Sequence, residues 1–309
     1  MSVVDGRVCQ VATESIVDER MVELGELRIY LKRIGAPELP PLIAVHGGPT
    51  WDHSYLLPAV GELSDVRRVH LLDVRGCGRS GRELPVDALR HVEAAEDVLR
   101  VADALELGAF DLLGFSYGGA LAMRVAERHP DRLRSLILAS TSAYGNDVPL
   151  SPALEAERAR REPPGPASWE SADALGSDPD ASARADGLTA AAVHIWDLRR
   201  LPEWRQVLEQ IRWSGAWSLR YIAGPLDSPR PADPEAVLRQ AGVPTLILHG
   251  ENDLGFAVDA ARRLHKAVPG SHLVVMPGVA HMAQFEQPEA WAAHIRRFLT
   301  PPDGRSSGR

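Results

Sequence analysis

Ser116 stands in the run Gly114-Phe115-Ser116-Tyr117-Gly118. Glycine two residues to either side of a serine suits a nucleophile elbow, a strained strand-to-helix turn that exposes the hydroxyl. A Cβ at either glycine position would collide with neighbouring backbone. The turn aims the Tyr117 amide at the same point, and the helix N-terminus behind it favours negative charge. A serine hydroxyl is a poor nucleophile at neutral pH. It needs a general base, and the base needs an orienting carboxylate. His281, in Gly278-Val279-Ala280-His281, is the candidate base. Asp253, in Gly250-Glu251-Asn252-Asp253, is the candidate acid, with Glu251 as its competitor. The chain order Ser116, Asp253, His281 is the one expected for a serine triad on an open parallel sheet. The oxyanion formed on attack needs two donors. One is Tyr117 N–H. The other belongs to the loop His46-Gly47-Gly48-Pro49, from Gly48 or from Gly47.

Such groups gather at the carboxyl ends of strands. Short apolar runs predict those strands: Leu42–Val45, Val69–Val74, Phe110–Phe115, Leu133–Ala139, Pro244–Leu248 and His272–Met276. Helical patterns alternate with them at Leu56–Leu63, at residues 88–106, from Ser116 towards Pro130, at Asp259–Ala267 and at Glu289–Leu299. Residues 6–33 predict a β-hairpin, with Val8, Val11 and Thr13 on one arm and Leu27, Ile29 and Leu31 on the other. The alternation predicts an α/β fold, a mostly parallel twisted sheet with helices on both faces. The rhythm stops near Thr141 and resumes near residue 241. Residues 142–240 are rich in Pro, Ala, Arg and Glu and hold five of the seven tryptophans. They predict an inserted cap of short, Pro-interrupted helices, with a mobile loop around residues 162–182. The organisation expected is therefore a core of residues 1–141 and 241–300, a helical cap of residues 142–240, and a disordered tail of residues 301–309. The cap tryptophans pack its small core, with Trp196, Trp204 and Trp217 as candidates for walling a substrate pocket.

Composition narrows the function classes. The chain has 309 residues, 45% of them hydrophobic, and a formal net charge of −8. No long basic run is present, which argues against a nucleic-acid partner. No apolar run approaches membrane-spanning length, and Met1–Gln10 lacks the pattern of a signal peptide. Two cysteines, Cys9 and Cys77, make no disulfide framework, and a cytoplasmic location is the expectation. No metal-ligand spacing stands out, and no cofactor is expected. Gly76–Gly81 matches G-x-G-x-x-G after a strand. Arg82-Glu83-Leu84-Pro85 separates it from the next helix, which argues against a dinucleotide site. The expected partner is a small-molecule or short-peptide substrate. Oligomeric state is left open.

With these residues placed, the chain resembles the α/β-hydrolase superfamily from about residue 25 to residue 300. Within it, the proline iminopeptidase-like serine hydrolases look nearest. The resemblance is carried by His46-Gly47-Gly48-Pro49, Asp73-Val74-Arg75-Gly76-Cys77-Gly78-Arg79-Ser80, Gly114–Gly119, Arg128–Leu133, Gly250–Asp253 and Gly278–His281. It implies a Ser116–Asp253–His281 triad, a Gly48/Tyr117 oxyanion hole and a cap over the site. The chain departs from the iminopeptidase pattern at Thr50, where glycine is usual, at Val74, where glutamine is usual, and at Tyr117, where tryptophan is common. Iminopeptidases also hold a substrate amino group with cap glutamates. The cap has Glu155, Glu157, Glu170, Glu203 and Glu209, and none matches that role by position. The resemblance thus implies hydrolysis of an ester, lactone or amide through an acyl-enzyme. Aminopeptidase and esterase or lactonase remain the two versions. A rival of another class is a non-catalytic ligand receptor on the same fold.

Overall fold

The computed structural model describes residues 17–162 and 166–301. Its frame is one eight-stranded sheet. The strands are β1 (Val17–Leu24), β2 (Leu27–Ile34), β3 (Pro41–Val45), β4 (Arg68–Leu72), β5 (Phe110–Phe115), β6 (Leu133–Ala139), β7 (Thr245–Gly250) and β8 (His272–Met276). Their order is β1-β2-β4-β3-β5-β6-β7-β8. β2 runs antiparallel to both β1 and β4, and every other neighbouring pair is parallel. The hairpin turns at Gly25, so the arm pairing with Leu27, Ile29 and Leu31 is Val17–Leu24. The arm expected at Val8, Val11 and Thr13 lies outside the described residues.

The helices are α1 (Leu57–Gly61), α2 (His91–Ala104), α3 (Tyr117–Arg128), α4 (Pro152–Arg161), α5 (Ala172–Leu175), α6 (Pro179–Thr189), α7 (Ala191–His194), α8 (Leu201–Gln210), α9 (Ala216–Ile222), α10 (Pro234–Ala241), α11 (Val258–Ala267), α12 (Ala283–Glu286) and α13 (Pro288–Leu299). Two apolar cores form, one on each face of the sheet. Ile43, Val45, Leu112 and Leu138 point to the α2, α3 and α11 side. Leu42, Ala44, Leu113 and Ala139 point to the α1 and α13 side. Adjacent strand residues thus serve opposite cores, as a pleated strand covered on both faces requires. Each fully buried Leu, Ile or Val contributes about 1.5–3 kcal/mol, which holds the strand ends rigidly.

Helices α4 to α10 lie between β6 and β7. Proline opens α4, α6, α8 and α10 instead of interrupting them. The first helical turn has amide groups without intrahelical partners, so proline is tolerated there. α10 packs on α3 and α11 and buries Leu238 in the α3-side core. By its contacts it packs with the core layer, at the end of the segment expected as the cap. The segment expected as a mobile loop holds α5 and the start of α6. Ser171 Oγ caps the first, accepting from Ala174 N at 3.1 Å, and Asp178 Oδ1 caps the second, accepting from Ala181 N at 3.0 Å.

Candidate active site

β3, β5, β7 and β8 are parallel, so the loops leaving them share one edge of the sheet. β5 passes directly into α3 through Ser116, whose backbone is at φ 53°, ψ −114°. That strained conformation persists because the turn is closely packed. A Cβ on Gly118 would drive into the carbonyl oxygens of Val45 and His46. The loop after β7 brings Asp253, and the loop after β8 brings His281. His281 Nε2 lies 3.0 Å from Ser116 Oγ, and His281 Nδ1 lies 2.8 Å from Asp253 Oδ2. An ionised carboxylate only accepts, so Nδ1 carries the proton and Nε2 is left to accept from the serine hydroxyl. The imidazole is flanked by Phe115 and Phe256, with ring centroids 5.5 and 5.8 Å away.

Asp253 is fully buried. Burial acts to raise its carboxyl. The charge and hydrogen bond of His281, with His249 and the Phe256 amide, outweigh burial and hold it below the usual range. Its other oxygen, Oδ1, accepts from Gly255 N at 2.7 Å and Phe256 N at 3.0 Å. The carboxylate therefore shapes its own loop and orients His281 at once. Glu251 is exposed and lines a separate surface groove. His249 sits 3.0 Å from Phe256 O and 3.3 Å from Asp253 Oδ2 through Nε2.

The amide of Gly47 donates to Tyr55 Oη at 2.7 Å. That bond distinguishes the two loop glycines. Gly47 N–H is occupied, whereas the amides of Gly48 and Tyr117 have no hydrogen-bond partner among the described residues. Tyr117 N–H opens α3, where the first amides have no intrahelical acceptor.

Ser116 and His281 line a cavity of about 750 Å³ between the sheet edge and the cap. Aromatic walls come from Trp51, Tyr55, Phe115 and Phe256, and half-exposed Trp169 joins them from the cap. Trp196, Trp204 and Trp217 do not line it. Trp204 is fully buried against Trp51 and Phe285. Trp217 stacks on His91 at 4.9 Å and donates Nε1 to Arg75 O at 2.9 Å. Trp196 lies in the same groove as Glu251, under the Arg161 guanidinium at 4.9 Å. Aromatic content marks these rings for packing but does not say which side of the segment each takes. Of the five cap glutamates considered, only Glu170 reaches the cavity, where Glu162, Asp186 and Arg158 also contribute.

Gly76–Gly81 wraps Asp73 instead of opening a helix. Gly78 presses against the Asp73 carboxylate at φ 53°, and that carboxylate accepts from Arg79 N at 2.8 Å and from His53 Nδ1 at 2.7 Å. Cys77 is buried and donates Sγ–H to Pro49 O, and burial pushes its thiol up. Among the described residues no three His, Cys, Asp or Glu side chains are grouped to hold a metal ion, and no helix is long and apolar enough to cross a membrane.

A family profile described as the alpha/beta hydrolase fold matches residues 40–288. The chain is an α/β hydrolase. Among curated relatives, this hydrolase is 30% identical over 296 residues to 2-hydroxy-6-oxo-2,4-heptadienoate hydrolase of Pseudomonas putida, covering 92% of this chain and 97% of that one. It is 29% identical over 272 residues to a proline iminopeptidase of Saccharolobus solfataricus, covering 84% of each. Among solved structures, the hydrolase superposes on a thermophilic esterase from Thermogutta terrifontis with TM-score 0.70 and 25% identity, covering 92% of this chain and 98% of that one.

Proposed function

We propose that this α/β hydrolase is a cofactor-free serine hydrolase acting on small to medium, largely apolar esters or lactones. The observation that carries the reading is the unbroken hydrogen-bond chain Asp253–His281–Ser116 opening into an aromatic cavity. In this reading Ser116 Oγ attacks the carbonyl carbon as His281 Nε2 takes its proton. The tetrahedral oxyanion is met by the free amides of Gly48 and Tyr117. His281 returns the proton to the leaving oxygen, and the C–O bond breaks to leave an acyl-enzyme. Water, deprotonated by His281, then attacks the acyl carbon, and the proton passes back to Ser116. Asp253 holds the tautomer and stabilises the imidazolium throughout.

A second reading is an aminopeptidase, favoured by the carboxylates of Glu162, Glu170 and Asp186 at the cavity wall. Each of them already holds a partner. Glu162 pairs with Arg158, Glu170 accepts from Ala167 N, and Asp186 accepts from Ser168 N. That engagement supports the ester or lactone reading over capture of a substrate ammonium.

A fluorophosphonate probe applied beside Ser116→Ala tests the nucleophile, and a panel of p-nitrophenyl esters and proline p-nitroanilide tests the bond. Labelling at Ser116 with ester turnover is the expected result. Anilide turnover exceeding ester turnover favours the aminopeptidase. Labelling with no turnover of any substrate favours a ligand receptor, and absence of labelling in folded protein overturns the reading.

A further inference from the structure

Among the polar groups that line the cavity and that the reaction above does not use is His194. His194 ends α7 and lines the cavity together with Ser116 and His281. Its carbonyl oxygen accepts from Met282 N at 3.0 Å, so it is anchored beside the residue that follows His281. Trp204 Nε1 lies 3.2 Å from His194 Nδ1. An indole N–H can only donate, so Nδ1 is the nitrogen with the free lone pair. Burial first, and the neighbouring His281 second, push the His194 pKa down to about 3, so the ring is neutral at pH 7. One ring proton remains, and it sits on Nε2. No described residue is placed to accept it. Trp51 and Trp204 meet the ring edge-on, with centroids 5.3 and 6.0 Å away, and fix its orientation. A buried tryptophan that never touches the cavity thus determines which nitrogen of a cavity histidine donates.

We propose that His194 Nε2–H is a substrate-recognising donor that selects acyl groups carrying a second, neutral oxygen acceptor remote from the scissile carbonyl. A ketone oxygen or a further ester oxygen has this chemistry. A free carboxylate suits the site less well, because three carboxylates, Glu162, Glu170 and Asp186, face a single guanidinium, Arg158, along the wall. The aromatic rings take the apolar remainder of the acyl chain. A site built around an otherwise unpaired donor discriminates strongly against a ligand lacking the acceptor. The inference rests on the reading of Ser116 as the nucleophile.

The test compares p-nitrophenyl hexanoate with its 3-oxo, 4-oxo and 5-oxo analogues. At least one oxo ester is expected to exceed the plain ester in kcat/KM by about tenfold or more. His194→Leu is expected to bring that ratio to about one. Trp204→Phe, which removes the donor to Nδ1 and frees the tautomer, is expected to lower the ratio without abolishing it. Equal rates for all four esters, or a preference that survives in His194→Leu, overturn the proposal. Binding of the corresponding methyl esters to Ser116→Ala, measured by calorimetry, separates the two readings. If wild type hydrolyses none of the esters, the serine mechanism fails, and the oxo-over-plain binding ratio alone decides the role of His194.

Discussion

Glu286 Oε2 accepts the amide of Ala280 at 2.7 Å, one residue before His281. The other oxygen, Oε1, accepts from Trp196 N at 2.8 Å and Asp197 N at 3.0 Å. One carboxylate therefore joins the cap to the loop that carries the candidate base. Burial raises this carboxyl above its ordinary value, against the pull of the three amides.

Removing that carboxylate leaves three backbone amides without an acceptor. Glu286→Ala should lose about 2–4 kcal/mol of stability, on the scale of charge-assisted bonds and orphaned buried amides. It should also lower kcat by about tenfold, with a smaller change in KM, because the His281 loop loses its brace. Glu286→Gln keeps only one acceptor oxygen and should fall between the two. Urea unfolding and steady-state kinetics read both effects. Wild-type kcat in a folded Glu286→Ala protein would contradict the bracing role.

Ser116→Ala and His281→Ala should each lose most activity, by roughly four to six decades, because a triad acts as a unit. Asp253→Asn should lose as much or less. Glu251→Gln should stay near wild type, since Glu251 faces another groove. A dead Glu251→Gln beside an active Asp253→Asn would transfer the acid role. Single-turnover kinetics on one activated ester give all four values.

Tyr55→Phe deletes the acceptor of the Gly47 amide. A Cβ on Gly47 would come 2.9 Å from Tyr55 Oη and 3.0 Å from Ser116 Cβ, so the loop is closely packed here. An orphaned buried amide costs about 1–3 kcal/mol, and the loop that carries Gly48 loses its tether. The expected result is a folded enzyme with kcat reduced by about three- to thirtyfold and KM little changed. An unchanged kcat would show that the Gly48 amide is positioned without Tyr55.

Stability should fall on the acid side of neutrality. Burial lowers the pKa of His70 from 6.5 to about 3, that of His91 to about 4 and that of His194 to about 3. The unfolded chain binds these protons below about pH 6.5 while the folded chain does not, so the stabilisation is complete above that pH and is lost as pH falls towards 4. Each group contributes up to about 1.4 kcal/mol per pH unit within that window. Both ring nitrogens of His70 are buried without a partner. His70→Leu should therefore gain about 1–2 kcal/mol at pH 7 and flatten the acid limb. Urea unfolding at pH 7.5 and 5.0 checks both, and a steeper acid limb in His70→Leu would contradict the argument.

The elements that carry the site could be read from local pattern. Phe110–Phe115 and Leu133–Ala139 coincide with β5 and β6, short apolar runs of strand length that are covered on both faces. The elbow at Ser116 was legible for a related reason: only glycine fits at the close backbone approach of Gly118, so the geometry leaves a mark in the sequence. Proline signals in this segment mark helix starts instead of interruptions, and the first turn tolerates them. Glu286 left no mark. Its partners are Ala280 on one side and Trp196 and Asp197 far away in the chain, and no local motif encodes that bridge.

The amino-acid order was sufficient for the parallel strands, the elbow and the succession Ser116, Asp253, His281, because each depends on backbone conformation or on strand ends that neighbouring residues dictate. Which of the two loop amides is engaged, Gly47 or Gly48, depended on where the Tyr55 hydroxyl lies, eight residues from Gly47. The exclusion of Trp204 from the cavity, and the Nε2–H tautomer it imposes on His194, depended on how the cap packs against the sheet. Apolar periodicity says that a side chain will be buried. It does not say against which partner, since many partners offer nearly the same burial energy, and that choice is made only when distant segments meet.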